Sequence, residues 1–254
     1  MNRYFLSVHN KPKANIMFII DGMKSRAHRE VVANPTAHGW VLNLYLNGER
    51  YPERVCDYFQ SEYAPTQELA ENIVRHASDE QRHVRLYSHA LSTIGEPVVD
   101  LAPPFVFNEV VRSFTPDTFH ILPTDGEDAQ REKLANFLAH AHFLEKRVGR
   151  SIEYHADACG ALGRDHAGKC VAAVMRDEER HVEYTREAVL DLLPRRKAQE
   201  VLDTHRRAEA KANLEFSLRL LRNFLNRYDN GISTQRKLMF RVCEFIMQGA
   251  SRLV

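Results

Sequence analysis

The sequence predicts an all-α fold: a four-helix core, with one helix before it and two after it. Three observations carry that expectation. Eleven Gly and ten Pro fall mainly between stretches of helical period, not inside them, which is where breakers sit in a helical chain. The pentad Asp-Glu-x-Arg-His is spelled twice, over 79–83 and 177–181. Each copy contains Glu-x-x-His, a spacing that sets a carboxylate and an imidazole one turn apart on one helix face. Finally, a Pro-rich stretch over 95–126 separates two pairs of helical segments, the long crossover that one four-helix arrangement requires.

The elements follow in order. A first helix is expected between Ala14 and Val32, after which Asn34-Pro35-Thr36 ends one element and caps the next. The four core helices are expected near 37–62 (A), 66–94 (B), 127–159 (C) and 164–192 (D). Pro65-Thr66 signals the start of B, and Gly95-Glu96-Pro97 its stop. The crossover carries Pro97, Pro103, Pro104, Pro116 and Pro123 and leaves room for a short helix at 107–113. Leu193-Pro194 ends helix D. Two amphipathic helices then run near 195–228 and 234–252, separated by Asp229-Asn230-Gly231. One domain over 1–254 is the expectation for this length, with the core at about 36–192 and the extension at about 195–254.

Antiparallel geometry says which residues share a height in this core, because paired residues lie equally far from the connecting turn. Reflecting Glu178 through the breaker cluster Cys159-Gly160-Ala161-Leu162-Gly163 lands near Glu145. Reflecting Glu80 through Ala64-Pro65-Thr66 lands on Glu49. The chain therefore repeats Glu, turn, Glu-x-x-His: Glu49/Glu80/His83 and Glu145/Glu178/His181. Helix A carries a break, since Gly48 and Pro52 flank Glu49 and an interior Pro costs about 3 kcal/mol. The apolar stripe Val41, Tyr45, Gly48/Glu49, Pro52, Cys56, Phe59 continues through it at helical steps, which reads as a kinked helix with Glu49 facing inward. The alternative makes Asn47-Gly48 a true turn, starts the helix at Pro52 and offers Glu53 instead.

Four carboxylates and two histidines inside a helical core demand compensation, because an unpaired buried carboxylate costs several kcal/mol. Two divalent metals bring four positive charges against four carboxylates. Mixed oxygen and imidazole donors suit iron or manganese. Asp79 and Asp177, four residues before their histidines, are candidates to accept the second imidazole N–H, while Arg82 and Arg180 point outward and could pair with those acids. His76, four residues before Glu80, is a candidate seventh ligand, with a supporting or core role as the alternative. His142, three before Glu145, has similar standing. His140, His155 and His166 have no spacing argument and read as structural or exposed. Residues one turn from the ligands should line a reaction pocket: Tyr45, Tyr87, Ala141, His142, Gly149, Val174 and Thr185.

The pattern resembles the ferritin-like di-iron carboxylate superfamily, which includes acyl-carrier-protein desaturases, ribonucleotide reductase small subunits, rubrerythrins, aldehyde-deformylating oxygenases and arylamine N-oxygenases. The resemblance covers roughly 36–192 and rests on the six spaced ligands. It implies that Glu80 and Glu178 bridge two metals, that Glu49 and Glu145 are terminal, and that His83 and His181 hold one metal each. It also implies iron, with manganese or a mixed pair as variants, and O₂ as co-substrate. Arylamine N-oxygenases carry an extra histidine at the spacing of His76, but in their second repeat, where this chain has Val174. The implied activity is an O₂-activating oxygenase or oxidase working by hydroxylation, desaturation or N-oxygenation. Iron oxidation and dimanganese peroxide breakdown are the alternatives, followed by a non-enzymatic helical interaction protein.

Composition bounds the rest. Cys56, Cys159, Cys170 and Cys243 contain no Cys-x-x-Cys pair, so there is no framework for a zinc knot or a rubredoxin-type centre. This sets the chain apart from rubrerythrins. Electrons would come from an external donor protein or from the substrate. The net charge of +1 hides an asymmetry: residues 195–254 hold thirteen Lys/Arg against six Asp/Glu, and residues 1–194 twenty-two against twenty-eight. The basic segment reads as a solvated helix surface, or else as a dock for an acidic carrier protein or ferredoxin-like donor. No nucleic-acid motif accompanies it. There is no apolar run of membrane-spanning length and no signal-peptide pattern over 1–20. A cytoplasmic protein acting on a small-molecule or carrier-tethered substrate, with a homodimer as one arrangement, is the resulting expectation.

Overall fold

A computed structural model describes residues 11–50, 59–115, 119–228 and 232–251, with side chains from 22 to 249 in those ranges. The described residues are all helical apart from turns and connections. We number the helices α1 (Lys11–Ala33), α2 (Pro35–Glu49), α3 (Gln67–Thr93), α4 (Phe107–Arg112), α5 (Glu127–Ala161), α6 (Asp165–Leu192), α7 (Arg195–Arg227) and α8 (Thr234–Ser251). Short 3₁₀ turns lie at Ser61–Tyr63 and Pro103–Phe105.

The helix ends have local causes. Asn34 caps α2 by accepting from the Ala37 N–H at 3.1 Å, with Pro35 in the first helical position. The Thr66 hydroxyl caps α3 through the Leu69 N–H at 3.2 Å. Gly95 and Gly163, at φ +75° and +65°, end α3 and α5 in the same way. The N–H one residue past each glycine reaches back to Leu91 O (3.1 Å) or Cys159 O (2.9 Å), satisfying carbonyls the helix leaves open.

Helix A departs from expectation. The helix stops at Glu49, Arg50 closes it, Phe59 and Gln60 are not helical, and Ser61–Tyr63 is a 3₁₀ turn. Pro52, Glu53 and Cys56 lie outside the described residues. Within α2, two side chains engage the crossover. Asn43 and Asn47, four residues apart, hold the extended start of the crossover as a strap: Asn43 accepts from Val99 N at 2.8 Å and donates to Pro97 O at 3.0 Å, while Asn47 accepts from Leu101 N at 3.0 Å and donates to Val99 O at 2.8 Å. This gives the extended backbone the partners that buried peptide groups require.

Helix α5 packs most extensively on α6, α6 on α3, and α3 on α2. Around these, α1 packs on α5 and α2, α7 on α5 and α4, and α8 on α7. Two apolar layers fill the interior. One contains Ile73, Leu138 and Val189, and the other Tyr87, Leu91, Ile152 and Val174. Each long helix passes from one layer to the other through a buried polar belt: His76 to His83 on α3, Glu145 on α5, and Asp177 to His181 on α6. No described helix is long and apolar enough to cross a membrane.

Candidate metal centre

The belt brings all six predicted ligands together. Glu49, Glu80, His83, Glu145, Glu178 and His181 are each at most 6% exposed. His83 Nδ1 faces Glu49 Oε2 and Glu178 Oε1, both at 3.4 Å, and Glu80 Oε1 at 3.9 Å. His181 Nδ1 faces Glu178 Oε2 at 3.2 Å and Glu80 Oε1 at 3.8 Å. Glu80 and Glu178 thus touch both histidines and occupy the middle, with Glu49 and Glu145 at the two sides. Donor atoms of Glu49, Glu80, His83 and Glu178 lie within 4.8 Å of one another, as do those of Glu145, Glu178 and His181.

The outward nitrogens reveal a pairing that spacing within one helix did not. His83 Nε2 meets Asp177 Oδ2 at 3.1 Å, and His181 Nε2 meets Asp79 Oδ2 at 3.3 Å. Each aspartate serves the histidine of the other pentad. Because α3 and α6 run antiparallel, residue 79 stands opposite 181 and 83 opposite 177. An aspartate one turn back on its own helix lies beside the ring, whereas the one across the interface lies at its far end. The arginines complete a closed square. Arg82 binds Asp177 across the interface and Asp79 at 3.2 Å in its own helix. Arg180 binds Asp79 across it and Asp177 at 3.3 Å. Nδ1 is thereby left to the carboxylates on both rings.

His76 belongs to the same belt. Its Nε2 approaches Glu80 Oε1 at 3.2 Å and Glu145 Oε1 at 3.6 Å, its Nδ1 meets the Tyr184 hydroxyl at 2.7 Å, and its ring stacks on His181 with centroids 3.6 Å apart. Tyr184 was not among the predicted residues, although its place one turn after His181 was a readable signal.

The electrostatics of this cluster describe excess negative charge. Burial, and then the repulsion of neighbouring carboxylates, pushes Glu80 and Glu178 well above the usual carboxylate range. Burial and the nearby Glu145 raise Glu49 to about 8, although a hydrogen bond with Glu80 works the other way. Burial would raise Glu145 too, but contact with His76 outweighs it and holds this carboxyl low. Burial opposes charge on His76, yet Tyr184 and the Glu145 and Glu80 carboxylates hold it well above the ordinary imidazole value. Burial and the charge on His76 drive His181 down to about 2, which keeps its ring neutral. Glu49 also ends α2, where the negative end of the helix dipole disfavours an anion and favours a cation.

These residues fit a metal ion. Glu80 Oε1, Glu178 Oε1 and His76 Nε2 are buried and make no well-aligned hydrogen bond among the described groups, although their neighbours lie close. Crowded carboxylates, the neutral His181 imidazole and orphaned oxygens are what a bound cation would relieve.

Of the predicted pocket residues, Tyr45 lines the cavity that opens beside the centre. Tyr87 is fully buried and packs on Tyr45 with ring centroids 5.4 Å apart. Ala141 is buried in α5, and Val174 sits in an apolar layer. Gly149 lies against Glu178, with its Cβ position 3.7 Å from Glu178 Cβ. The Thr185 hydroxyl donates to His181 O at 2.6 Å, and His142 Nδ1 turns to Val182 O at 2.9 Å. The cavity, of about 190 Å³, is walled by Met23 of α1, Leu44 of α2, Phe216 and Phe224 of α7 and Phe240 of α8, and it reaches Glu49, Glu80 and Glu145. Sequence reasoning missed its outer wall, because the apolar stripes of the flanking helices do not say which surface they cover.

Comparison of the chain with protein-family models, with curated proteins and with solved structures finds no match. The site's chemistry therefore rests on its own residues.

Proposed function

We propose that this chain is a ferritin-like di-iron protein that uses O₂ to oxidise an apolar organic substrate. One observation carries the reading: three of the four glutamates expected as ligands, Glu49, Glu80 and Glu145, form part of the wall of an apolar cavity. A cation held there would face a chamber suited to an organic molecule. A sealed structural site has no use for such a chamber, and an iron-storage site would call for a polar path.

Glu49, Glu80, Glu145 and Glu178 would hold the ions through their carboxylates, and His83 and His181 would contribute one nitrogen apiece. When bound, iron would supply the redox chemistry of oxygen reduction. The protein's own residues hold the donors in place. Asp177 and Asp79 fix the tautomers of His83 and His181 by accepting hydrogen bonds from their Nε2–H groups, and the arginine square holds the aspartates. His76, bonded to Tyr184 and adjoining Glu145 and Glu80, is placed to hold a proton beside the site. Leu44, Val41 and Phe107 exclude water from the cavity wall. Two electrons per turnover would come from an external donor protein or from the substrate. Hydroxylation, desaturation and N-oxygenation are the reactions this reading covers.

The test is elemental analysis of purified protein, followed by oxygen-electrode measurement with a chemical reductant. Two irons per chain and reductant-dependent O₂ uptake are expected, both abolished in Glu178→Ala. Failure to bind more than trace metal, or O₂ uptake unchanged in Glu178→Ala, refutes the proposal.

A further inference from the structure

A second group of ligand-type side chains lies away from the carboxylate belt. His38 in the first turn of α2 meets His155 near the end of α5, their Nε2 atoms 3.0 Å apart, and Cys159 Sγ lies 4.0 Å from His38 Nε2. One ligand atom from each of the three residues falls within 4.8 Å of the other two, and all three residues are at most 1% exposed. His155 and Cys159 stand at i and i+4, so one helix presents both on the same face. His38 comes from a different helix and closes the triangle.

This group is distinct from the carboxylate centre. Eleven residues of α2 separate His38 from Glu49, and ten residues of α5 separate Glu145 from His155. At about 1.5 Å per residue, both helices place it roughly 15 Å along the bundle. The polar groups here are poorly served by packing. His155 Nδ1 and the Nδ1 of neighbouring His28, whose ring sits 5.7 Å from His155, are buried without a hydrogen-bond partner. The Nε2 atoms of His38 and His155 face each other instead, with the Cys159 sulfur beside them.

From this geometry we infer that His38, His155 and Cys159 form a mononuclear site for a zinc-class divalent ion. Zinc–nitrogen bonds of about 2.05 Å and a zinc–sulfur bond of about 2.3 Å, at tetrahedral angles, require N···N and N···S separations of about 3.3 Å and about 3.6 Å. The separations of 3.0 Å and 4.0 Å need changes of only a few tenths of an ångström. Imidazole with thiolate selects zinc over the hard cations that the carboxylate belt suits. Burial favours the neutral form of both imidazoles, lowering His38 to about 4 and His155 well below its usual value, and a bound ion would replace the hydrogen bond between their Nε2 atoms. The thiol must release its proton on binding, against a burial that raises it to about 11 and with only the smaller effect of the Arg164 charge in favour.

Three protein donors leave a fourth coordination position for water or an exogenous ligand. His28, which packs on His155, also lines the apolar cavity. Bound there, the ion would clip the start of α2 to the end of α5. That clip sets the axial position of Glu49 at the other end of α2.

The experiment titrates metal-free full-length protein with Co²⁺, a spectroscopic stand-in for zinc. A thiolate-to-cobalt charge-transfer absorption is expected at one equivalent, because carboxylate and imidazole donors alone cannot produce it. The band should vanish in Cys159→Ser, vanish or weaken at least tenfold in His38→Gln, and persist in Glu178→Ala. Circular dichroism checks folding, and His38→Gln decides the matter if Cys159→Ser does not fold. Absence of the band in wild-type protein overturns the inference, as does a band that survives Cys159→Ser unchanged, since it would then belong to another cysteine.

Discussion

Glu49→Gln should stabilise the metal-free protein and destabilise the metal-loaded one. The substitution keeps the side chain's shape and removes its charge. Burial and neighbouring Glu145 raise the folded-state carboxyl from 4.5 to about 8. Because the folded value exceeds the unfolded one, this contribution to stability is fully present below about 4.5 and is lost as pH rises towards about 8. At about pH 7 the folded chain must retain a proton that the unfolded glutamate has released across about 2.5 pH units. At about 1.4 kcal/mol per unit this costs roughly 3 kcal/mol, falling below about 1 kcal/mol near pH 5. Urea denaturation of chelator-treated protein, followed by circular dichroism, should therefore show the variant more stable by roughly 2–3 kcal/mol at about pH 7 and nearly equal to wild type at about pH 5. Added divalent metal should reverse the order, because it rewards the ionised form. A variant no more stable than wild type at neutral pH, or equally shifted at both pH values, would show that Glu49 does not share a crowded anionic site.

Asp79→Asn leaves every proposed ligand in place but deprives His181 Nε2 of its anionic acceptor. Chelator competition should report metal affinity reduced by about 10–100-fold, with the helical signal unchanged. Ile73→Ala and Leu91→Ala, in the two fully buried apolar layers, should each cost about 2–5 kcal/mol in urea denaturation. Leu44→Trp puts an indole into the cavity beside the carboxylates. Metal content should stay at the wild-type level while substrate-coupled O₂ uptake falls, at a stability cost of about 1–3 kcal/mol. Gly163→Ala forces a side chain onto φ +65° at the end of α5, and should lower stability by about 1–2 kcal/mol in thermal or urea denaturation.

The helices were legible wherever a local signal marked their ends. Thr66 and Gly95 bound α3, Gly163 ends α5, and Pro194 follows α6; the expected and observed limits differ by at most two residues. The short helix in the crossover was readable from the spacing of its prolines. The far end of helix A was misread: the apolar stripe runs on to Phe59, but Phe59 and Gln60 are not helical, and the expected kink at Pro52 lies outside the described residues. Asn43 and Asn47 bond the strap over 97–101, and no periodicity within 37–62 announces a partner fifty residues away.

The same boundary runs through the site. The heights of Glu49, Glu80, Glu145 and Glu178 follow from reflection through turns, since the rise per residue is constant along each helix. The side to which each imidazole turns does not follow, because that is set by what stands across the interface. Cys159, His155 and His38 show the limit most plainly. Two of them share a helix face, but the third is over a hundred residues away, and only packing joins them.

By itself the sequence determined an all-helical chain, the positions of its caps and breakers, and a doubled carboxylate–imidazole pattern aligned at one height. These are properties of single helices and short turns, governed by periods of three to four residues and by the backbone demands of Gly, Pro, Asn and Thr. The tertiary structure alone decided that each aspartate serves the opposite histidine, that His76 joins the belt through Tyr184, and that α1, α7 and α8 build a cavity against the carboxylates. Those outcomes depend on crossing angles and on side-chain directions between helices distant in the chain, which no spacing within one helix encodes.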